Sequence, residues 1–200
     1  MVHLVQVRVD AARNRARILE VARALIARDG PSVSMDEIAR EAGVAVGTLY
    51  RHHPTKAALV AAVVEHSLEQ IARAAQGAID RVSAGSAAGP ELAELFRVVA
   101  RRHASDDAVK AAAAALGAAV PVLDGGSEPR FAPETAEAAA WEAIQELLAH
   151  ALAEGSVRAD LTALDLVALL LGTPSPPIPD QVRDRYIEVV LDGIRRTPPR

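Results

Sequence analysis

Residues 34–56, SMDEIAREAGVAVGTLYRHHPTK, leave the chain little freedom, because two short helices must meet there across a turn too tight for anything but a fixed angle. Ser34 followed three positions later by Glu37 is the S-x-x-E capping box that opens a helix by satisfying orphan N–H groups reciprocally. Ile38, Ala39 and Ala42 then share one face. Gly43 comes where the chain must leave the helix in a left-handed conformation, which glycine adopts at little cost, and Val44 plugs the angle. The second piece, 46–52, has one large inward residue, Leu49, too little apolar surface for a core helix. Its other side is free to face a partner.

Upstream, residues 15–28 carry Ile18, Ala22, Leu25 and Ile26 at helical spacing, with Arg13, Arg15, Arg17, Arg23 and Arg28 on or beside the polar side, and Asp29-Gly30-Pro31 ends the run. Three helices with this turn make a helix-turn-helix. The arrangement resembles the N-terminal domain of the TetR family of transcriptional regulators, whose pattern runs D-x-I-A-x-x-A-G-V, then G-T-L-Y-x-H-F, then a helix-starting Lys. The matching residues are Asp36, Ile38, Ala39, Ala42, Gly43, Val44, Gly47, Thr48, Leu49, Tyr50, His52 and Lys56.

Three departures stand out. His53 occupies the place of the family's usual Phe, so that core position is expected to be polar or partly exposed. Ala45 stands where a Ser or Thr usually caps the recognition helix, a loss of about 1 kcal/mol. Ala58 replaces an acid just inside the following helix, and by resemblance that helix end approaches a DNA phosphate, so the change favours binding.

The resemblance implies double-stranded DNA as partner. Thr48 and Gly47 would lie at the groove-facing start of the recognition helix, Tyr50, His52 and Lys56 would approach phosphates, and Val46 would contact a thymine methyl. Phenol, imidazole, ammonium and helix-start N–H groups are all phosphate donors. Ser34 could add another. Arg51 could reach a guanine bidentately or simply contact a phosphate. Asp36 is read as a first-turn acid complementing the helix dipole.

Charge supports the same polarity. The chain has 22 basic and 26 acidic residues, a net −4, yet residues 1–56 hold nine Lys or Arg against six Asp or Glu, leaving thirteen against twenty beyond. A balance of +3 on the motif end and −7 on the rest suits phosphate neutralisation without general stickiness. So short an excess is also within ordinary fluctuation.

The fold class is all-α, about nine helices: an N-terminal three-helix DNA-binding domain over 11–56 and a helical effector-binding and dimerisation domain over 57–200. Ala dominates the apolar half of the chain and only five residues are aromatic, which favours close-packed helices over sheet. Residues 1–10 alternate apolar and polar with no sheet to join. They are expected to form a flexible arm, either disordered or carrying Arg8 towards DNA. Beyond the motif, helices are expected from a Thr55 cap to about 77, over 91–103, 106–120, 134–153, 162–172 and 180–196, with a loop over 121–133. The 162–172 helix is apolar almost all round and is expected to be buried on every side.

Specific reading by one short helix needs a second copy about one DNA turn away, roughly 34 to 36 Å. The last two helices, through Leu166, Leu169, Leu170, Tyr186, Val189 and Val190, are expected to pair across a two-fold axis as a four-helix interface, as the family's do. The alternative is a monomer whose final helices complete its own core. The resemblance also implies a small-molecule effector that shifts the spacing of the recognition helices. Phe96, His103, Trp141, Gln145 and His150 are candidate lining residues, because large or polar groups stand out on Ala-rich helices; each could equally be an ordinary core or surface residue.

No cysteine is present, so neither disulfides nor thiolate metal sites arise, and no metal or cofactor is expected. No apolar run of membrane length or export leader is read, pointing to the cytoplasm and no membrane. A helical metal oxidase would need E-x-x-H motifs, and none occurs; Glu146 and His150 are one residue too far apart. The function expected is a ligand-responsive repressor binding a palindromic operator as a homodimer, not an enzyme. The rival is a helical interaction module whose helix-turn-helix is inactive.

Overall fold

The computed structural model describes the backbone of residues 2–116 and 131–195, with side chains throughout except at 2–12 and 104–108. The described residues form eight α-helices and one 3-10 turn: α1 (Val2–Asp29), the turn Gly30–Ser32, α2 (Met35–Glu41), α3 (Val46–His52), α4 (Lys56–Ser83), α5 (Ala88–Ala115), α6 (Ala136–Glu154), α7 (Ala163–Leu171) and α8 (Asp180–Ile194). The only pairing of extended type among them is an isolated bridge between Val157 and Arg195.

Helix starts follow local chemistry. Thr135 Oγ1 accepts from Ala138 N at 3.2 Å. Thr162 and Asp165 form a complete capping box, the hydroxyl accepting from Asp165 N at 3.1 Å and the carboxylate accepting from Thr162 N at 2.8 Å. At the other end of α6, Gly155 stops the helix at φ 71°.

The chain divides into two compact units. The first takes residues through His66 and the end of α5 from Ser105. Its core is the inward stripe of α1 (Ile18, Leu19, Ala22, Leu25, Ile26) with Ile38 and Ala39 of α2, Leu49 of α3 and Leu59, Val60 and Val63 of α4. The second takes Ser67–Ala104 and the described residues from 131 onward. There Leu92, Leu95, Phe96 and Val99 of α5 pack with Ile144, Leu147 and Leu148 of α6, Leu166 of α7 and Ile187, Val190 and Leu191 of α8. Glu154 accepts from Ala88 N and Gly89 N at 3.2 and 3.0 Å, supplying the α5 start with the acceptor its own sequence lacks. Those bonds hold the carboxyl below its ordinary range. Arg97 meets Glu188 through two bonds of 2.8 and 3.1 Å, and Arg101 meets Asp184 at 3.3 Å.

Several expectations are corrected. Residues 2–10, expected as a flexible arm, are continuous with α1, which starts at Val2. α4 runs through Gly77 to Ser83, and the two helices expected over 91–103 and 106–120 are one, α5. Of the loop expected over 121–133, residues 121–130 lie outside the described residues. α7 is not buried on every side: Ala163 and Leu166 face the core, while Leu164 and Leu171 are 37% and 50% exposed.

Candidate nucleic-acid interface

Ser34 opens α2 with its Oγ accepting from Glu37 N at 3.1 Å. The Glu37 carboxylate lies 4.0 Å from Arg40. At the far end Gly43, at φ 67°, donates to Arg40 O at 3.1 Å and Val44 donates to Ala39 O at 2.9 Å. That pair of bonds is the Schellman stop, which fixes the direction in which the chain leaves α2.

α3 begins at Ala45, whose side chain offers no cap, as the sequence indicated; Thr48 N and Leu49 N donate to its carbonyl at 2.8 and 3.2 Å. Leu49 is the one buried residue of the helix, at 0% exposure. Val46 and Tyr50 are exposed, as are Gly47, Arg51 and His52, and Thr48 is half-buried. α3 thus hangs from a single apolar anchor and presents the remainder outward.

Of the two alternatives expected at His53, a polar or a partly exposed position, the structure has the first: the residue is polar and buried. Only 6% of it is exposed, and its Nε2 is buried without a hydrogen-bond partner. Desolvation pushes the imidazole below its usual pKa, and the nearby Arg15 and His52 side chains push it further. His53 fills the apolar place left by Phe as a neutral ring.

Lys56 begins α4 with its ammonium donating to the carbonyls of Pro31 and Val33, which ties the start of α4 to the turn between α1 and α2. Burial lowers its pKa. Thr55 caps α4 as expected, Oγ1 accepting from Ala58 N at 3.1 Å. The whole segment between Glu41 and Glu65 contains no carboxylate. Arg51, His52 and the α3 N–H groups therefore have no acid in their own stretch of chain.

The candidates in the second unit are spread out. Phe96 is a core residue, 3% exposed, and His103 is buried at 8%. Trp141 packs half-buried against the core with its ring 6.4 Å from Phe131, tilted by 60°. Gln145 is half-buried. His150 is exposed and lines no interior surface, because the inward phase of α6 runs Ala140, Ala143, Ile144, Leu147, Leu148, Ala151. Of the residues expected to pair two copies, Leu166 and Val190 are in the unit's own core, corrected by the phase of their helices. Leu169, Leu170 and Tyr186 are half-buried against it, with Tyr186 Oη donating to Leu169 O at 2.8 Å. Val189 is 65% exposed. Leu164, Leu171 and Val182, the last 50% exposed, are not among the residues expected to pair two copies, although their seven-residue spacings (164 to 171, 182 to 189) carry a signal in the sequence. Among the described residues no His, Asp or Glu group of three or more could hold a metal ion. No described helix is long and apolar enough to cross a membrane.

A capped α2, a Schellman stop and an outward-facing α3 without acids define a helix-turn-helix DNA-binding regulator. Residues 18–63 match the family described as bacterial regulatory proteins, tetR family, and residues 87–196 match the SbtR-like transcriptional regulator C-terminal domain. The chain belongs to the TetR family of transcriptional regulators and is not an enzyme. A TetR transcription regulatory protein from Mycobacterium vanbaalenii is 39% identical, with 95% of this chain and 99% of that one covered at a TM-score of 0.72. A TetR transcriptional regulator from Streptomyces coelicolor is 28% identical, covering 92% and 99%, with a TM-score of 0.73. An HTH-type transcriptional regulator of Staphylococcus aureus (strain USA300) is 43% identical over 63 residues, 31% of this chain and 34% of that protein. The match thus spans about a third of the length of these curated relatives.

Proposed function

We propose that this regulator binds a palindromic operator as a homodimer, represses transcription, and releases DNA when a small molecule binds the second unit. The observation that carries the reading is α3 itself: one buried anchor, an outward face, and no carboxylate in the stretch 42–64. Tyr50, His52 and Ser34 contact phosphates and Val46, Gly47 and Thr48 lie against the groove, while Lys56, its ammonium held by the Pro31 and Val33 carbonyls, positions the start of α4.

Dimerisation is supported by Leu164 and Leu171 on α7 and Val182 and Val189 on α8, pairs seven residues apart that remain exposed in the single chain. Seven residues are two helical turns, so each pair lies along one line, the geometry of a helix-pairing seam. An effector in the second unit, near the half-buried Trp141 and Gln145, needs a coupling of only about 1–3 kcal/mol to control binding, and DNA must weaken its affinity by the same factor.

The test is selection of genomic DNA fragments by the purified protein at two salt concentrations. Enrichment of an inverted repeat, with affinity falling steeply as salt rises, is the expected result. No enrichment at either concentration refutes the reading in favour of a protein-interaction role.

A further inference from the structure

Resting on the DNA-binding reading, we propose that Arg51 is the specificity-determining residue of α3 and reads a guanine edge in the major groove of each half-site. At 3.6 residues per turn, each step around a helix is about 100°, and Leu49 fixes the inward direction. Val46 and His52 then lie about 60° from Leu49, Thr48 and Tyr50 about 100°, and Gly47 and Arg51 each about 160°. Arg51 and Gly47 therefore form the outermost line of the helix, with the phosphate-type donors Tyr50 and His52 on its two flanks. A helix seated in a groove meets the backbone walls with its flanks and the base edges with its outermost line.

Two further observations agree. A Cβ built on Gly47 would meet nothing within 4 Å, so one turn before Arg51 the backbone itself can approach the groove closely. The guanidinium of Arg51 also has no hydrogen bond or ion pair among the described residues. In the same unit Arg17 bonds Asn14 at 3.1 Å, Arg23 bonds Glu20 at 3.3 Å and Arg28 bonds Asp29 at 2.6 Å, whereas Arg13 and Arg15 on α1 share the open state of Arg51, which alone of the three lies on α3. Arg51 thus keeps its planar fork of donors intact for guanine O6 and N7, and no protein contact has to be broken to use it.

The experiment selects randomised duplexes with the full-length protein, Arg51→Ala and Arg51→Lys, and measures affinity across salt for the selected site and for sites changed one base pair at a time. Wild type is expected to require G at one position and its symmetry mate. Both variants lose that preference by about tenfold to a hundredfold, because a Lys ammonium keeps the charge but not the paired geometry, while binding to sites lacking that G barely changes. A uniform loss across all sequences in Arg51→Ala, with a salt slope lower by about one and rescue by Arg51→Lys, makes Arg51 a phosphate contact and overturns the proposal. Wild-type selection without a required G overturns it as well. Failure of the wild type to bind any duplex is a different outcome, since it removes the DNA-binding reading together with this one.

Discussion

Replacing His53 with Phe tests the physical account of the small DNA-binding unit. In the native chain the ring is 6% exposed and its Nε2 has no partner, a desolvation cost of about 1–3 kcal/mol that Phe does not carry. The larger ring must still fit, and modest overpacking takes back about 1 kcal/mol, so the variant is expected to gain about 1 kcal/mol at pH 7.5. The pH dependence has a definite sign. Desolvation first, then Arg15 and His52, lowers the folded pKa below the ordinary 6.5, so the neutral ring is the form the fold prefers. The native contribution is intact above pH 6.5. As pH falls below it, the unfolded chain takes up the proton first and stability drops, at most about 1.4 kcal/mol per pH unit, until the folded pKa is reached. His53→Phe removes this dependence. Urea unfolding of both proteins at pH 7.5 and 5.5, followed by far-ultraviolet circular dichroism, should show the variant ahead at the higher pH and further ahead at the lower. A gap that closes on acidification would mean that His53 is charged and partnered in the fold, and the reasoning fails.

Ala45→Ser restores an acceptor for the first-turn N–H groups of α3 and is expected to raise stability by about 0.5–1 kcal/mol in thermal melts; an unchanged melt would show that these groups are already satisfied. Val189→Glu, alone or with Leu171→Glu, places a charge on the exposed apolar line of α7 and α8. Sedimentation equilibrium should report a monomer with unchanged helix content, and a persisting dimer would move the interface elsewhere.

What the sequence disclosed depended on whether a signal acts locally. Ser34 and Thr55 act within one turn of the backbone, so the starts of α2 and α4 were legible, whereas the Thr135 cap that starts α6 at Ala136 was not singled out. The break expected between 103 and 106 does not occur, because capping residues are tolerated inside a helix when a good helix-forming stretch precedes them and an Ala-rich run, 111–115, follows. Gly77 likewise costs α4 only about 1 kcal/mol, too little to end a 28-residue helix. Periodicity marked the apolar stripes of α7 and α8 but not which residues on a broad stripe turn inward. Leu166 and Val190 went to the core and Leu164, Leu171, Val182 and Val189 did not, a distinction set by packing on other helices. His53 was located by its departure from a pattern, yet its burial follows from the volume left by its neighbours, which no local rule supplies.

The single anchor of α3 has a consequence for divergence. Only Leu49 of the seven residues is committed to the core, so the other six can be exchanged with little penalty to folding. Recognition and foldability are nearly uncoupled along this helix. A library varied at positions 46–48 and 50–52 on an otherwise unchanged chain would explore new target sequences while remaining largely folded, and a duplicated gene could drift to a new operator by the same route.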